Sequence, residues 1–163
     1  MTFAKPYSVE HPEEIAICDP EKELKWAEVD DVLNRCANGL QSLDLGPDVR
    51  IAVFAENAVE TAMANLGGLV AGASVVPVNF HLTAEEVNYI LGDSGTRVLF
   101  VGPETWERGV EAAQGTEVHT VVAWGAPDGA AVTSWSDWLA ANDAGEPDQS
   151  VPPRPNLLYT SGT

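Results

Sequence analysis

The chain has 163 residues, 45% of them hydrophobic, which is enough for one domain with a sizeable core and too apolar for general disorder. Its 25 acidic residues against 8 basic ones give a formal net charge of −17; that opposes nucleic-acid and anionic-membrane binding, because phosphate contacts need Lys and Arg. No apolar run reaches membrane-spanning length, and residues 1–14 mix charges and prolines instead of forming a signal core, so a cytoplasmic protein is expected.

Residues 15–18 and 24–26 are short and β-prone, and Asp19-Pro20-Glu21-Lys22 between them predicts a hairpin turn. Val29, Val32, Leu33, Cys36, Leu40 and Leu43 then repeat at helical spacing, and Gly46-Pro47 is read as the helix stop. Cys18 and Cys36 form no CxxC pair, and two buried thiols in a reducing compartment are expected. A strand is predicted over 50–55. Asn57 and Glu60 have the spacing of a capping box for the next helix. Gly67 and Gly68 inside that helix predict close approach to the sheet or to another helix, and Gly72 ends it.

Residues 74–78 form the next predicted strand, with Pro77 at its end or on a sheet edge because proline lacks a donor. Thr83 and Glu86 make a second capping box, flanked by Leu82 and Val87 at the staple positions, and the helix runs to Gly92 or Ser94. A strand over 97–101, a helix over 103–113 with Pro103 in its first turn, a strand over 118–123 and a short helix over 134–141 follow. Four prolines in 143–155 mark a linker or surface loop, and 156–159 reads as a last strand. Alternating strands and helices define an α/β fold, a mostly parallel sheet with right-handed helical crossovers. Three segments are expected: 1–142 as an α/β subdomain, 143–155 as a Pro-rich linker, and 156–163 as a strand entering a phosphate-binding loop.

Leu157-Leu158-Tyr159 is followed by Thr160-Ser161-Gly162-Thr163. A phosphate loop needs backbone N–H groups, a glycine for close approach and hydroxyl donors, and these four residues supply them. The bland alternative is a polar tail that frays. Neither GxxxxGK[ST] nor GxGxxG occurs, so kinases and dinucleotide-dependent dehydrogenases have no support. His11, His81 and His119 share no ligand spacing. His81, in a loop after a strand, is a candidate substrate-side contact, because α/β sheets bind ligands beyond the carboxyl ends of strands. No catalytic residue and no metal ligand are assigned. The five tryptophans read as packing residues, and the acidic pairs as solvated helix faces.

Three stretches together resemble the adenylate-forming (AMP-binding) superfamily, which includes acyl-CoA synthetases, nonribosomal adenylation domains and luciferases. They are Leu24-Lys25-Trp26-Ala27-Glu28-Val29, then Leu69-Val70-Ala71-Gly72 through Pro77-Val78-Asn79, then Leu158-Tyr159-Thr160-Ser161-Gly162-Thr163. In the first, Lys25, Trp26 and Val29 depart from the usual pattern. Asn79-Phe80-His81-Leu82-Thr83 looks most like fatty-acyl-CoA synthetases, although His81 stands where Arg is common. The resemblance covers the first third or so of a family enzyme.

What the resemblance implies is a partial N-terminal subdomain of an ATP-dependent acyl-CoA synthetase, with Thr160, Ser161, Gly162 and Thr163 contacting the ATP phosphates. The intact enzyme would use ATP, Mg²⁺ and CoA with a carboxylic, most often fatty, acid. The 163 residues alone are expected to bind none of these tightly and to be inactive, because the family's loop lysine and nucleotide-binding residues lie beyond Thr163. The alternatives are a non-catalytic assembly module, or an aryl- or amino-acid-activating member of the same family. Homo-oligomers through an uncovered sheet edge or apolar surface are expected.

Overall fold

A computed structural model describes residues 4–43 and 50–160. The chain opens with α1 (Lys5–Glu10), which gave no signal in the sequence, and the hairpin of β1 (Ile15–Cys18) and β2 (Glu23–Lys25). α2 (Trp26–Ser42) follows directly. The Glu28 carboxylate accepts the Lys25 backbone N–H at 2.8 Å, which satisfies one orphan donor of its first turn. Val29, Leu33, Cys36 and Leu40 of the predicted stripe are buried. The Gly46-Pro47 stop lies outside the described residues.

β3 (Arg50–Phe54), β4 (Ser74–Val78), β5 (Val98–Val101), β6 (Thr120–Ala123) and the two-residue β7 (Thr133–Ser134) form one sheet in the order β4-β3-β5-β6-β7, parallel throughout. The fold is α/β, as expected. Pro77 stands on the edge strand β4, where a missing donor breaks no ladder. The crossover helices are α3 (Val59–Val70), α4 (Ala84–Ser94) and α5 (Trp106–Ala113), and α6 (Trp135–Ala140) follows β7.

Side chains alternate between the two faces of the sheet. Ile51, Val53, Val75, Phe100 and Val122 pack with α2, α3 and the Trp135 and Trp138 rings of α6. Ala52, Phe54, Val76, Leu99 and Val101 pack with α4 and α5. A fixed crossover hand with a reversed direction puts α3 and α4 on opposite faces, because the chain runs from β3 outward to β4 and then back past β3 to β5.

The two helical glycines of α3 answer the two predicted approaches. A Cβ on Gly67 would stand 2.5 Å from Cys36 Sγ of α2, and one on Gly68 would collide with Ile51 of β3. Gly72 takes φ +79° after the helix. The Thr83–Glu86 box on α4 forms as predicted, with Glu86 N donating to Thr83 Oγ1 at 3.3 Å and Thr83 N to the Glu86 carboxylate at 2.8 Å. Leu82 and Val87 lie in one apolar cluster.

Five expectations need correction. Asn57 does not cap α3. That helix starts at Val59, and the Val59 N–H is taken by Asp19 Oδ2 of the hairpin turn at 2.8 Å, while Glu60 pairs with Lys22 at 2.6 Å. Pro103 lies outside α5, which begins at Trp106 after a turn held by Thr105. Ser134 caps α6 by accepting from Asp137 N, and β7 pairs just before it. Cys18 is exposed; only Cys36 is buried, and both are free thiols. No regular strand forms over 156–160. Its one ladder bond runs from Leu157 N to Val75 O at 3.0 Å, and the prolines at 152, 153 and 155 remove the donors that would extend it.

Residues 143–155 carry no helix or strand, yet they are tied to α2. Asn34 and Asn38 donate to the carbonyls of Ala144, Asp143 and Gly145, and Gln41 exchanges bonds with the Asp148 backbone.

Candidate functional site

Two places bear on a site, a crevice beyond the carboxyl ends of the sheet and the outer edge of β4. The strand order reverses between β3 and β5, the usual position for a ligand in an open α/β sheet. A crevice of about 590 Å³ opens there, lined by Asp19, Lys22, Glu56, Glu60, Glu104 and Trp124 among others. Its floor is filled. A Cβ on Gly102 would lie 2.7 Å from Glu56 Oε2, and the buried Thr105 hydroxyl donates to Phe54 O at 2.6 Å and accepts from Gly102 N at 2.9 Å. Five carboxylates, those of Asp19, Glu21, Glu56, Glu60 and Glu104, line it with one lysine, which repels a phosphate or a carboxylate substrate.

The second place is the outer edge of β4, contacted near its amino end. Residues 152–157 run alongside Gly72 to Val75 in the same direction as β4. Arg154 donates to Gly72 O at 3.3 Å, Ser74 Oγ to Pro155 O at 2.7 Å, and Leu157 N to Val75 O. Leu157 and Tyr159 face the α4 side and join its apolar cluster, whereas Leu158 is 67% exposed, as period-two alternation requires. Thr160 is exposed. Ser161, Gly162 and Thr163 lie outside the described residues.

The 79–83 loop is held from three sides. Asn79 Oδ1 accepts the His81 N–H at 3.1 Å, the Phe80 and His81 rings stand 4.0 Å apart, and the Arg108 guanidinium of α5 donates to Leu82 O. Arg108 also lies 5.2 Å over the Phe54 ring and bonds Glu104 O at 3.1 Å. His81 is exposed at the loop's tip. Sequence reasoning singled out His81 and Thr160 as candidates and did not single out Arg108. The available signal was its charge sign, since bases are scarce in this chain.

Tyr159 was also missed as an individual side chain. Its hydroxyl donates to Asp93 Oδ2 in the last turn of α4 at 2.6 Å. Burial pushes its phenol up to about 12, and the Asp93 carboxylate adds to the rise. Among the described residues no group of three or more His, Cys, Asp or Glu could hold a metal ion. No helix there is long and apolar enough to cross a membrane.

The structure is thus a parallel α/β sheet whose edge strand is covered by an extended segment leading to Thr160, with the loop over 79–83 braced by Arg108. Residues 7–163 match the family model described as AMP-binding enzyme, and the chain belongs to that family. Over 143 residues it is 34% identical to the long-chain-fatty-acid–CoA ligase FadD13 of Mycobacterium tuberculosis H37Rv, covering 86% of this chain and 27% of that ligase. It is 35% identical over 133 residues to the fatty acid–[acyl-carrier-protein] ligase ScoC of Streptomyces coeruleorubidus, covering 80% of this chain and 24% of that protein. The crystal structure of the N-terminal domain of FACL13 from Mycobacterium tuberculosis superposes with a TM-score of 0.79 at 27% identity, over 98% of this chain and 40% of that one. The chain thus spans about a quarter of the length of these two curated ligases.

Proposed function

We propose that the whole polypeptide to which these residues belong activates a fatty acid with ATP and passes it to a thiol. The carboxylate oxygen attacks the α-phosphate of ATP to give an acyl-adenylate and pyrophosphate. The thiol sulfur then attacks the acyl carbon, AMP departs, and a thioester forms. The observation that carries this reading is 34% identity to a long-chain-fatty-acid–CoA ligase across 86% of the chain.

In this reading Thr160, Ser161, Gly162 and Thr163 cradle the β- and γ-phosphates through backbone N–H groups and hydroxyls. His81 lies on the substrate side, at the tip of the loop braced by Arg108. The acidic switch-point crevice takes neither ATP nor the fatty acid. CoA is the acceptor favoured by FadD13; the similarity to ScoC favours a second acceptor, the thiol of a carrier protein. One exposed and one buried free thiol fit a reducing compartment.

The test is ATP–pyrophosphate exchange by the protein expressed from the complete reading frame, across fatty, aryl and amino acids, followed by transfer to CoA or to a carrier protein. Exchange that depends on fatty acids is expected. Exchange only with amino or aryl acids would move the substrate class, and no exchange with any acid would leave a non-catalytic assembly role. Residues 1–163 alone are expected to give no exchange, since they match only about a quarter of a ligase.

A further inference from the structure

We propose that Arg108 is a positioning residue for the substrate-side loop over 79–83, acting through the carbonyl of Leu82. The inference rests on the acyl-activation reading and deepens it, because it names what sets the place of His81.

The loop leaves the edge strand of the sheet, so β4 has a neighbouring strand on one side only. Phe80 and Leu82 are half-buried against the α4 cluster, whereas Asn79 and His81 are exposed. Two bonds close the loop on itself, His81 N to Asn79 Oδ1 and Leu82 N to Asn79 O, both at 3.1 Å. Both return to Asn79 and tie the turn to nothing else. The Thr83–Glu86 box then fixes Thr83 to its own helix. Among the described residues, the one hydrogen bond that reaches the loop from another element runs from Arg108 Nη1 to Leu82 O, one residue after His81.

Arg108 is itself anchored. It is the third residue of α5, and its Nη2 donates to Glu104 O at 3.1 Å. Its Cζ lies 5.2 Å from the centroid of the fully buried Phe54 ring, at the end of β3. The turn before α5 is tied to the same strand end, since Thr105 Oγ1 donates to Phe54 O at 2.6 Å. Farther along, Asn88 of α4 donates to Ala112 O at 2.7 Å and to Gln114 O at 2.9 Å, which pins α4 and α5 together near the far end of α5. The guanidinium thus spans from the middle of the sheet to the loop after its edge strand. Its planar fork serves two carbonyls and a ring face at once, which a lysine ammonium does not.

The placement runs against local preference. A cation in the first turn of a helix meets the positive end of the dipole. Among the described residues Arg108 forms no ion pair, in a chain with 25 acidic residues, and it takes the carbonyl of Glu104 instead of its carboxylate. Neither helix stability nor charge pairing accounts for a base there, and the bracing of Leu82 O does.

The test uses the protein from the complete reading frame with Arg108→Ala, Arg108→Lys, His81→Ala and the double variant Arg108→Ala/His81→Ala. Arg108→Ala is expected to raise the KM for the fatty acid on the order of tenfold while kcat and the KM for ATP change by less than about twofold. His81→Ala should raise the same KM, and the double variant should lose no more than the larger single loss, because both substitutions disable one loop. Arg108→Lys, which keeps a donor but loses the fork, should recover part of the loss. A uniform loss in all parameters, an unchanged KM for the fatty acid, losses that add in the double variant, or a Lys variant as impaired as the Ala variant overturns the positioning role. Hydrogen exchange gives a readout independent of turnover. The amides of His81 and Leu82 should exchange faster in Arg108→Ala, with the amides of β3 and β5 unchanged, and unchanged exchange at His81 and Leu82 also overturns the role. A parent protein that exchanges pyrophosphate with no acid overturns the acyl-activation reading instead, and the amide exchange then decides whether Arg108 holds the loop.

Discussion

Asp19 serves two structures with one carboxylate. Oδ1 accepts from Glu21 N and Lys22 N at 2.8 Å each and closes its own turn, while Oδ2 accepts from Val59 N and caps α3 from 40 residues away. The Val59 bond is the largest of the influences that hold the Asp19 carboxyl below the ordinary carboxylate value. A depressed folded value contributes stability above the unfolded value, about 3.9, and loses it as pH falls through the folded one. Asp19→Ala is therefore expected to lower Tm by several degrees at pH 7, with the gap to the parent closing in thermal melts taken progressively below pH 4. A gap that stays constant with pH would mean the bonds contribute no pH-linked stability. The two thiols give a second contrast. Burial pushes the Cys36 thiol up to about 12, whereas Cys18 lies exposed on the hairpin. A maleimide at pH 7 should label one thiol per folded chain, at Cys18, and two in denaturant.

Gly67 and Gly92 are both helical glycines, yet their replacements should move stability in opposite directions. At Gly67 a new methyl meets Cys36 Sγ at 2.5 Å between α3 and α2, so Gly67→Ala should destabilise by about 1–3 kcal/mol. At Gly92 nothing stands within 4 Å, so Gly92→Ala should stabilise α4 by about 0.5–1 kcal/mol, both read from denaturant midpoints. The same locality decides what a reader of the sequence could find. The α4 start was legible because Thr83 and Glu86 are three residues apart and complete each other. The α3 start was misplaced because its cap comes from the hairpin, and no local pattern around Asn57 reports that. Pro103 reads as a first-turn proline but belongs to a turn that Thr105 ties to Phe54 O, a contact across 51 residues. The strand over 156–159 has the right alternation but only one partner bond. At the candidate site the hydroxyl-glycine stretch and His81 are expectations from motif and position. Arg108 and Tyr159 act through Leu82 O and Asp93, which only the folded chain brings to them.

The sheet ends on β4, and that edge is covered by an extended segment holding a single ladder bond. Leu69 on α3, Tyr89 on α4 and Leu158 on the covering segment are 40%, 67% and 67% exposed, and the first two belong to the helices flanking β4 in the chain. Free backbone groups beside exposed apolar side chains favour edge pairing between copies. The net charge of −17 opposes it, because every approaching copy carries the same sign. Salt separates these two forces. The screening length falls from about 10 Å at 0.1 M to about 3 Å at 1 M, which removes the repulsion and leaves apolar burial and backbone pairing intact. Residues 1–163 are therefore expected to self-associate at micromolar concentration, and more strongly as salt rises, when followed by light scattering. Leu158→Lys should shift the population toward monomer by placing a strongly hydrated charge on the exposed side of the edge segment. Association that weakens with salt would assign the contact to ion pairs, and a monomer at every salt concentration would show that the segment over 151–160 already closes the edge.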